Sequence, residues 1–304
     1  MTATVSEKKF RVIAGPCVIE DEGLAFEVAS ELKRQLTGLE TRIDFWFKAS
    51  FDKANRTSIE GFRGPGLESG LQTLAAVRSR YGQRVLTDIH ESTQVLPAAE
   101  VVDALQIPAF LCRQTDLIVA TAQSCARFGR SLNVKKGQFL APWDARNIVQ
   151  KVRETAPGID FTLTERGVSF GYNSLIVDMA SFQTMQGFGV PVIYDATHSI
   201  QVPGLAPGGK STGGRRENLE VLARAAVAAG ADGVFLECHP DPSRAKSDGP
   251  NAFYLESVGV FVRQLLEIHD CVRRLPKLLP EAIQHGTKTS GTDPSQTHLT
   301  RIET

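Results

Sequence analysis

The chain carries no excess charge, with 34 Lys and Arg against 34 Asp and Glu. A protein balanced in this way has no general attraction for nucleic acid or for an anionic membrane, so any anion site must be local. It also lacks a cysteine framework. Cys17, Cys112, Cys125, Cys238 and Cys271 are scattered, odd in number and free of any CxxC spacing. That argues against a stapled secreted scaffold and for a reducing cytoplasm, where a thiol is core filler or a catalytic or metal ligand. No apolar run is long enough to span a membrane, and residues 1–9 are too polar for a secretory signal. Two local templates are missing as well: no GxGxxG follows the first apolar strand, and no HExxH ties metal ligands together on one helix.

What the sequence does have is alternation. At 304 residues, 42% hydrophobic and 22% charged, it can bury a large core and has the size at which a barrel of strand-then-helix units runs as one domain. Apolar strands are expected at 11–13 and 45–47, in RVLTDIH, ALQIPAF, SLNVKKGQF, FTLTERG and PVIYDATHS, and at 234–236. Helices are expected over about 20–34, 67–81, from the end of RVLTDIH to 99, and over 116–128, 143–154, 219–229 and 253–272, with a further apolar segment at 175–186. Roughly eight such units predict an α/β fold, a single-domain (β/α)8 TIM barrel over residues 1–285. The polar, aperiodic run GTKTSGTDPSQTH predicts a flexible C-terminal tail over 286–304. An open doubly wound sheet uses the same alternation, but it gathers polar residues at one crevice, whereas here they end nearly every strand.

A parallel barrel places the carboxyl ends of all its strands around one opening. The polar residues at those ends are Cys17, Lys48, Asp88, Gln106, Lys135, Arg166, His198 and Glu237; they should converge. The cations Lys48, Lys53, Arg56, Arg113, Lys135, Lys136 and Arg166 are a local excess on a neutral chain. They suit phosphate and carboxylate groups, which Arg grips bidentately and Lys meets as a compact charge. Lys48 and Lys135 also have the chemistry of Schiff-base nucleophiles. Cys17, His198, Glu237 and Asp248 offer S, N and O donors together, a set for a borderline divalent ion (Zn, Fe, Mn or Co) rather than Ca or Mg. Asp88, Asp195, His198 and His239 are all candidates for acid or base, and the sequence does not choose among them.

Taken in order, AGPC, FKASFDKANRTS, TDIHE, QIPAFLCRQTDL, NVKKGQF, ERGVSFGYNSLIVDM, DATHS, GGRRE and ECHPDPSRAKSDGP resemble the 3-deoxy-D-manno-octulosonate 8-phosphate (KDO8P) synthase family over residues 12–255. The resemblance implies a (β/α)8 barrel that condenses phosphoenolpyruvate with D-arabinose 5-phosphate, with lipopolysaccharide assembly as the setting. It implies that Lys48, Ser50, Lys53, Gln106, Lys135 and Arg166, with Gln138 nearby, surround phosphoenolpyruvate. Asn55, Arg56, Thr57 and Asp88 would hold the arabinose phosphate, and Arg113 would reach the sugar phosphate of a neighbouring subunit in a homotetramer. His198, Asp248, Lys135 and Arg166 are the implied catalytic residues. The related 3-deoxy-arabino-heptulosonate 7-phosphate synthases, which use erythrose 4-phosphate, typically carry Pro-Arg-Thr-Ser directly after the strand-end lysine, whereas KANRTS at 53–58 follows the octulosonate pattern. Metal-dependent members have Cys at the AGPC position where others have Asn, and Ser247 before Asp248 agrees with that class. The resemblance therefore implies a divalent metal on Cys17, His198, Glu237 and Asp248. A Schiff-base phosphosugar aldolase and a non-catalytic phosphosugar-binding regulator are the other classes these strand ends would suit.

Overall fold

The computed structural model, which describes residues 8–56, 58–204, 213–276 and 278, is a closed barrel of eight parallel strands. They are β1 (Phe10–Gly15), β2 (Ile43–Lys48), β3 (Arg84–Asp88), β4 (Ala104–Ile107), β5 (Ser131–Lys135), β6 (Phe161–Glu165), β7 (Val192–Asp195) and β8 (Gly233–His239). Neighbours pair in chain order and β8 pairs back onto β1, with Gly15 opposite Glu237. A helix follows each strand in turn: α1 (Glu22–Leu36), α2 (Leu67–Tyr81), α3 (Ser92–Val101), α4 (Thr115–Phe128), α5 (Arg146–Thr155), α6 (Ala180–Gln186), α7 (Leu219–Ala228) and α8 (Val258–Arg274). The expected single-domain (β/α)8 barrel is the observed fold. The tail expected over 286–304 and Thr57 lie outside the described residues.

Strand side chains alternate between two faces, so residues two apart share one. The barrel uses its inward face in three tiers. At the amino-terminal end, Arg11 sits 2.9 Å from both Asp44 and Asp160, Arg84 lies 3.3 Å from Asp44, and the Arg11 guanidinium stacks 4.0 Å over the Trp46 ring. Two residues further along the strands, Ile13, Trp46, Leu86, Ala104, Ile193 and Phe235 form their own fully buried apolar cluster. Two residues further again stand Gly15, Lys48, Asp88, Gln106, Asp195 and Glu237. The polar mouth is thus the next step of the same alternation that built the apolar girdle. At Gly15 the strands come so close that an added Cβ would lie 2.1 Å from the Lys48 carbonyl oxygen.

The outward faces, among them Val12, Phe47, Val85, Leu105, Val134, Leu163 and Leu236, pack against the helices in one larger core. Each such Val, Leu or Phe contributes about 1.5–3 kcal/mol by leaving water. Local signals start the helices: Asp21 caps α1 by accepting from the Leu24 N–H at 2.8 Å, and Glu91 and Gln94 form a capping box on α3.

Four boundaries differ from expectation. Strand β8 continues to His239 instead of ending at Leu236, because Cys238 and His239 pair in parallel with Phe253 and Tyr254. Those two residues are therefore strand, and the last helix starts at Val258. A 3-10 turn at Pro142–Ala145 precedes α5, where one helix from 143 was expected. The apolar segment 175–186 divides into Leu175–Ile176, which pairs antiparallel with Val168–Ser169, and α6. Two catalytic letter patterns also occur. In GVSFG, Ser169 lies in that small hairpin and not on a strand-to-helix elbow. GLAPGGKS begins at Gly204, after the two-residue strand Gln201–Val202, and the rest of it lies outside the described residues.

Candidate active site

The carboxyl ends of the strands enclose an inner chamber of about 100 Å³ that opens into an outer one of about 380 Å³. Lys48, Lys53, Asp88, Gln106, Lys135, Arg166, His198, Glu237 and Asp248 all line the inner chamber, and Asn55 and Gln138 line both. Nine side chains from seven strand ends and two loops therefore share one small volume, as the closed ring requires.

Glu237 is the hub. It is fully buried; its Oε1 lies 2.6 Å from Lys48 Nζ and 3.5 Å from Lys53 Nζ. Lys48 also donates to the Cys17 carbonyl at 2.7 Å, which ties β2 to the turn after β1. Burial on its own would raise the Glu237 carboxyl, but Lys48, Lys53, His198 and Lys135 outweigh it and hold the group well below the usual carboxylate range. Across the chamber Asp195, also fully buried, lies 2.7 Å from Lys135 Nζ and 2.9 Å from His198 Nδ1. Burial lowers the Lys135 ammonium from its ordinary value against the pull of Asp195 and Glu237, and it lowers Arg166 likewise. Lys135 rests on the Phe235 ring, Nζ 3.4 Å from its centre.

Asp88 accepts from Ser50 Oγ at 2.5 Å and lies 3.1 Å from His90 Nε2. Burial opposes its ionisation, yet the His90 hydrogen bond with Lys48 and Lys53 holds it well below the usual carboxylate range. Arg166 donates to Gln201 Oε1 at 2.6 Å, and Gln201 donates on to Asp248 at 3.4 Å. Gln106 accepts from Asn133 at 2.9 Å, and Arg56 donates to Ser247 Oγ at 2.8 Å on the wall of the outer chamber.

Ligand atoms of Cys17, Glu237 and Asp248 all lie within 4.8 Å of one another. Cys17 Sγ is 3.1 Å from Ser247 Oγ and 3.5 Å from Asp248 Oδ2. His198 Nε2 adds a fourth donor, 3.6 Å from Glu237 Oε2 and 4.0 Å from Asp248 Oδ2. Glu237 Oε2 is buried without a hydrogen-bond partner, a costly state for a carboxylate oxygen unless something else meets it. Burial, reinforced by Glu237, pushes the Cys17 thiol up; a cation among these donors would reverse that. A mixed S, N and O set around an orphaned carboxylate oxygen fits a borderline divalent ion.

Three expected residues stand elsewhere. Lys136 points to the other side of its strand from Lys135, pairs with Glu165 at 3.4 Å and donates to the Leu140 carbonyl at 3.1 Å. Arg113 is exposed and lines neither chamber. His239 lies 3.6 Å from Glu20 in a separate cleft, with Nδ1 accepting from the Asp241 N–H, so it is not an acid or base for the mouth. Sequence reasoning missed His90, Phe110 and Gln201, which line the inner chamber. The signal for His90 was its spacing two residues after Asp88, whereas Gln201 sits on an irregular hairpin with no periodicity to read.

The sequence profile of the DAHP synthetase I family matches residues 3–273. A protein of Nitratidesulfovibrio vulgaris strain DP4, called 2-dehydro-3-deoxyphosphooctonate aldolase, is 54% identical over 265 residues, 86% of this chain and 93% of its own. Relatives with the same name from Cyanothece sp. strain PCC 7425 (54% over 259 residues, 85% of this chain and 92% of theirs) and Cupriavidus taiwanensis (52% over 273 residues, 88% and 92%) are similar to it in the same way. Matched by one family profile from before its first barrel strand to the end of its last helix, the chain belongs to the DAHP synthetase I family.

Proposed function

We propose that the chain condenses phosphoenolpyruvate with D-arabinose 5-phosphate and water, giving 3-deoxy-D-manno-octulosonate 8-phosphate and phosphate. The observation that carries this reading is the meeting of Lys48, Lys53, Lys135 and Arg166 in one chamber with Asp88, Glu237 and Asp248. Four cations against three carboxylates leave little excess by themselves. A divalent ion held by Glu237 and Asp248 would add the positive charge needed to balance two anionic substrates beside these paired cations. The phosphooctonate in the relatives' name agrees with KANRTS at 53–58.

The two substrates repel each other in water, so the first task of the residues is to hold both. Lys135 and Arg166 on the floor suit the phosphoenolpyruvate phosphate and carboxylate, while Asn55 and Arg56 on the outer wall suit the sugar phosphate. C3 of phosphoenolpyruvate bonds to the aldehyde carbon and water adds at C2. The C2–O bond then breaks, so the bridging oxygen leaves with phosphate and the water oxygen becomes the ketone. Protons from the water supply the new hydroxyl and the departing phosphate. Arg166 and the lysines, fixed in a site shielded by Phe235, stabilise the charge that develops. A divalent ion on Cys17, His198, Glu237 and Asp248 would supply Lewis acidity toward the water or the aldehyde oxygen.

Phosphate release from phosphoenolpyruvate should be supported by arabinose 5-phosphate far better than by erythrose 4-phosphate, and the reverse preference overturns the assignment. Label placed as ¹⁸O in the bridging oxygen should appear in phosphate; its retention in the sugar refutes C–O cleavage. Borohydride should not trap a substrate on Lys48 or Lys135, because each ammonium is already committed to a buried carboxylate. Chelation should abolish turnover, and full activity of a metal-free preparation would contradict the metal assignment.

The same reading includes a homotetramer in which exposed Arg113 serves a neighbour's sugar phosphate, and a cytoplasmic setting that fits the five unpaired cysteines. No helix among the described residues is long and apolar enough to cross a membrane.

A further inference from the structure

We propose that Asp195 is a positioning residue that couples the anion pocket to the metal ligands through one carboxylate. The inference rests on the metal reading given above and concerns which residue makes His198 a ligand. Asp195 is fully buried at the end of β7. Its Oδ1 accepts from the backbone N–H groups of Thr197 and His198 at 3.1 and 2.9 Å. The turn therefore pins the carboxylate before any side chain reaches it. Its Oδ2 meets both Lys135 Nζ, at 2.7 Å, and His198 Nδ1, at 2.9 Å.

Lys135 Nζ also lies 3.3 Å from His198 Nδ1, but it is closer to Asp195 Oδ2, at 2.7 Å, and donates there. Facing both carboxylate oxygens at 2.9 and 3.1 Å, which can only accept, Nδ1 keeps the proton and the lone pair is left on Nε2. Nε2 is the atom that faces Glu237 Oε2 and Asp248 Oδ2. With the other tautomer an N–H would point at that cluster and His198 could not bind an ion. A carboxylate that orients a metal-binding imidazole in this way typically changes metal affinity about 10–100-fold when removed. Lys135, which would bind substrate, leans on the same oxygen, and the Phe235 ring beneath it keeps the pair dry.

Charge alone gives part of the same result, since deleting an anion near a dication weakens binding whatever the imidazole does. The test must separate the two. Cobalt(II) affinity is measured by chelator competition for the parent, Asp195→Asn, His198→Asn and the double variant, with the visible spectrum recorded for each. Asp195→Asn is expected to lose about 10–100-fold in affinity and to change its d–d bands while keeping the Cys17 thiolate-to-cobalt band. In the His198→Asn background, Asp195→Asn should cost less than about threefold, because nothing is left to orient. Lys135→Met alone should not weaken cobalt binding.

Should Asp195→Asn misfold with Lys135 unpaired, Lys135→Met with Asp195→Asn removes both buried charges and should show the same loss of affinity. An Asp195→Asn or paired variant with parental affinity and spectrum overturns the inference. So does an equal loss with and without His198, which would leave only charge. A parent chain that takes up no stoichiometric cobalt overturns the metal reading itself, and the inference with it.

Discussion

Replacing Lys48 by Met tests the hub of the site in terms of stability. The Lys48 ammonium lies 2.6 Å from Glu237 Oε1, and both side chains are 1% exposed. At an effective dielectric of about 20, two unit charges at that distance attract by about 6 kcal/mol, before the cost of taking both out of water. The substitution strips the nearer partner from a buried carboxylate and leaves only Lys53 at 3.5 Å. Breaking a buried pair from one side costs about 3–5 kcal/mol, which for a barrel of this size lowers Tm by about 6–10 °C. Lys48→Met with Glu237→Leu removes both charges and should recover most of that loss, since an apolar replacement of a whole buried pair is near neutral. The measurement is urea unfolding followed by far-UV circular dichroism, on chelated protein so that no ion takes the place of the lysine. A single variant within about 1 kcal/mol of the parent, or a double variant no more stable than the single one, would refute the reasoning. Both variants should lack turnover, so stability and function part company in the double.

Lys136→Met should cost about 3–5 kcal/mol because it strips the ammonium from buried Glu165, whose Oε1 keeps only the Arg166 and Gly167 N–H groups, yet KM for phosphoenolpyruvate should stay within about twofold; a large rise in KM would place Lys136 in the pocket after all. Asp88 supplies a pH test. Its folded carboxyl is held low by His90, Lys48 and Lys53, so its contribution is complete above the unfolded value of about 4 and is lost as pH falls toward the folded one. The unfolding free energy of Asp88→Asn should therefore fall less steeply than the parent's between pH 5 and 3, and equal slopes would count against the ion cluster. Asp248 adopts a left-handed backbone at φ 50, a conformation Asn also tolerates. Asp248→Asn should change stability by less than about 1 kcal/mol and still weaken divalent metal binding, as read by chelator competition; unchanged metal affinity would remove Asp248 from the ligand set.

The order of strands and helices was readable from the chain because each unit announces itself locally, by an apolar run of fixed period and a polar loop. Closure then places the strand tips together as a matter of topology, which is why Lys48, Asp88, Gln106, Lys135, Arg166 and Glu237 could be named as one group before any contact was known. Barrel strands, however, are buried on both faces and read as nearly continuous apolar runs, so the inward register is invisible locally. That ambiguity is why Lys135 and Lys136 looked equivalent, although one enters the chamber and the other is held by Glu165. It is also why the strand expected at 234–236 stops short of Glu237, which lies inside β8.

What the amino-acid sequence determined by itself is the inventory and its periodic spacing: which donors and cations exist, and at which strand ends. Which of them touch was decided only by the packed barrel. The meeting of Asp195 with Lys135 across the barrel, the orphaned oxygen of Glu237 and the return of Asp248 beside Cys17 from 231 positions away depend on distances between separate strands and loops. Local propensity acts within a few residues, whereas a buried charge finds its partner only after chain closure has excluded water from both.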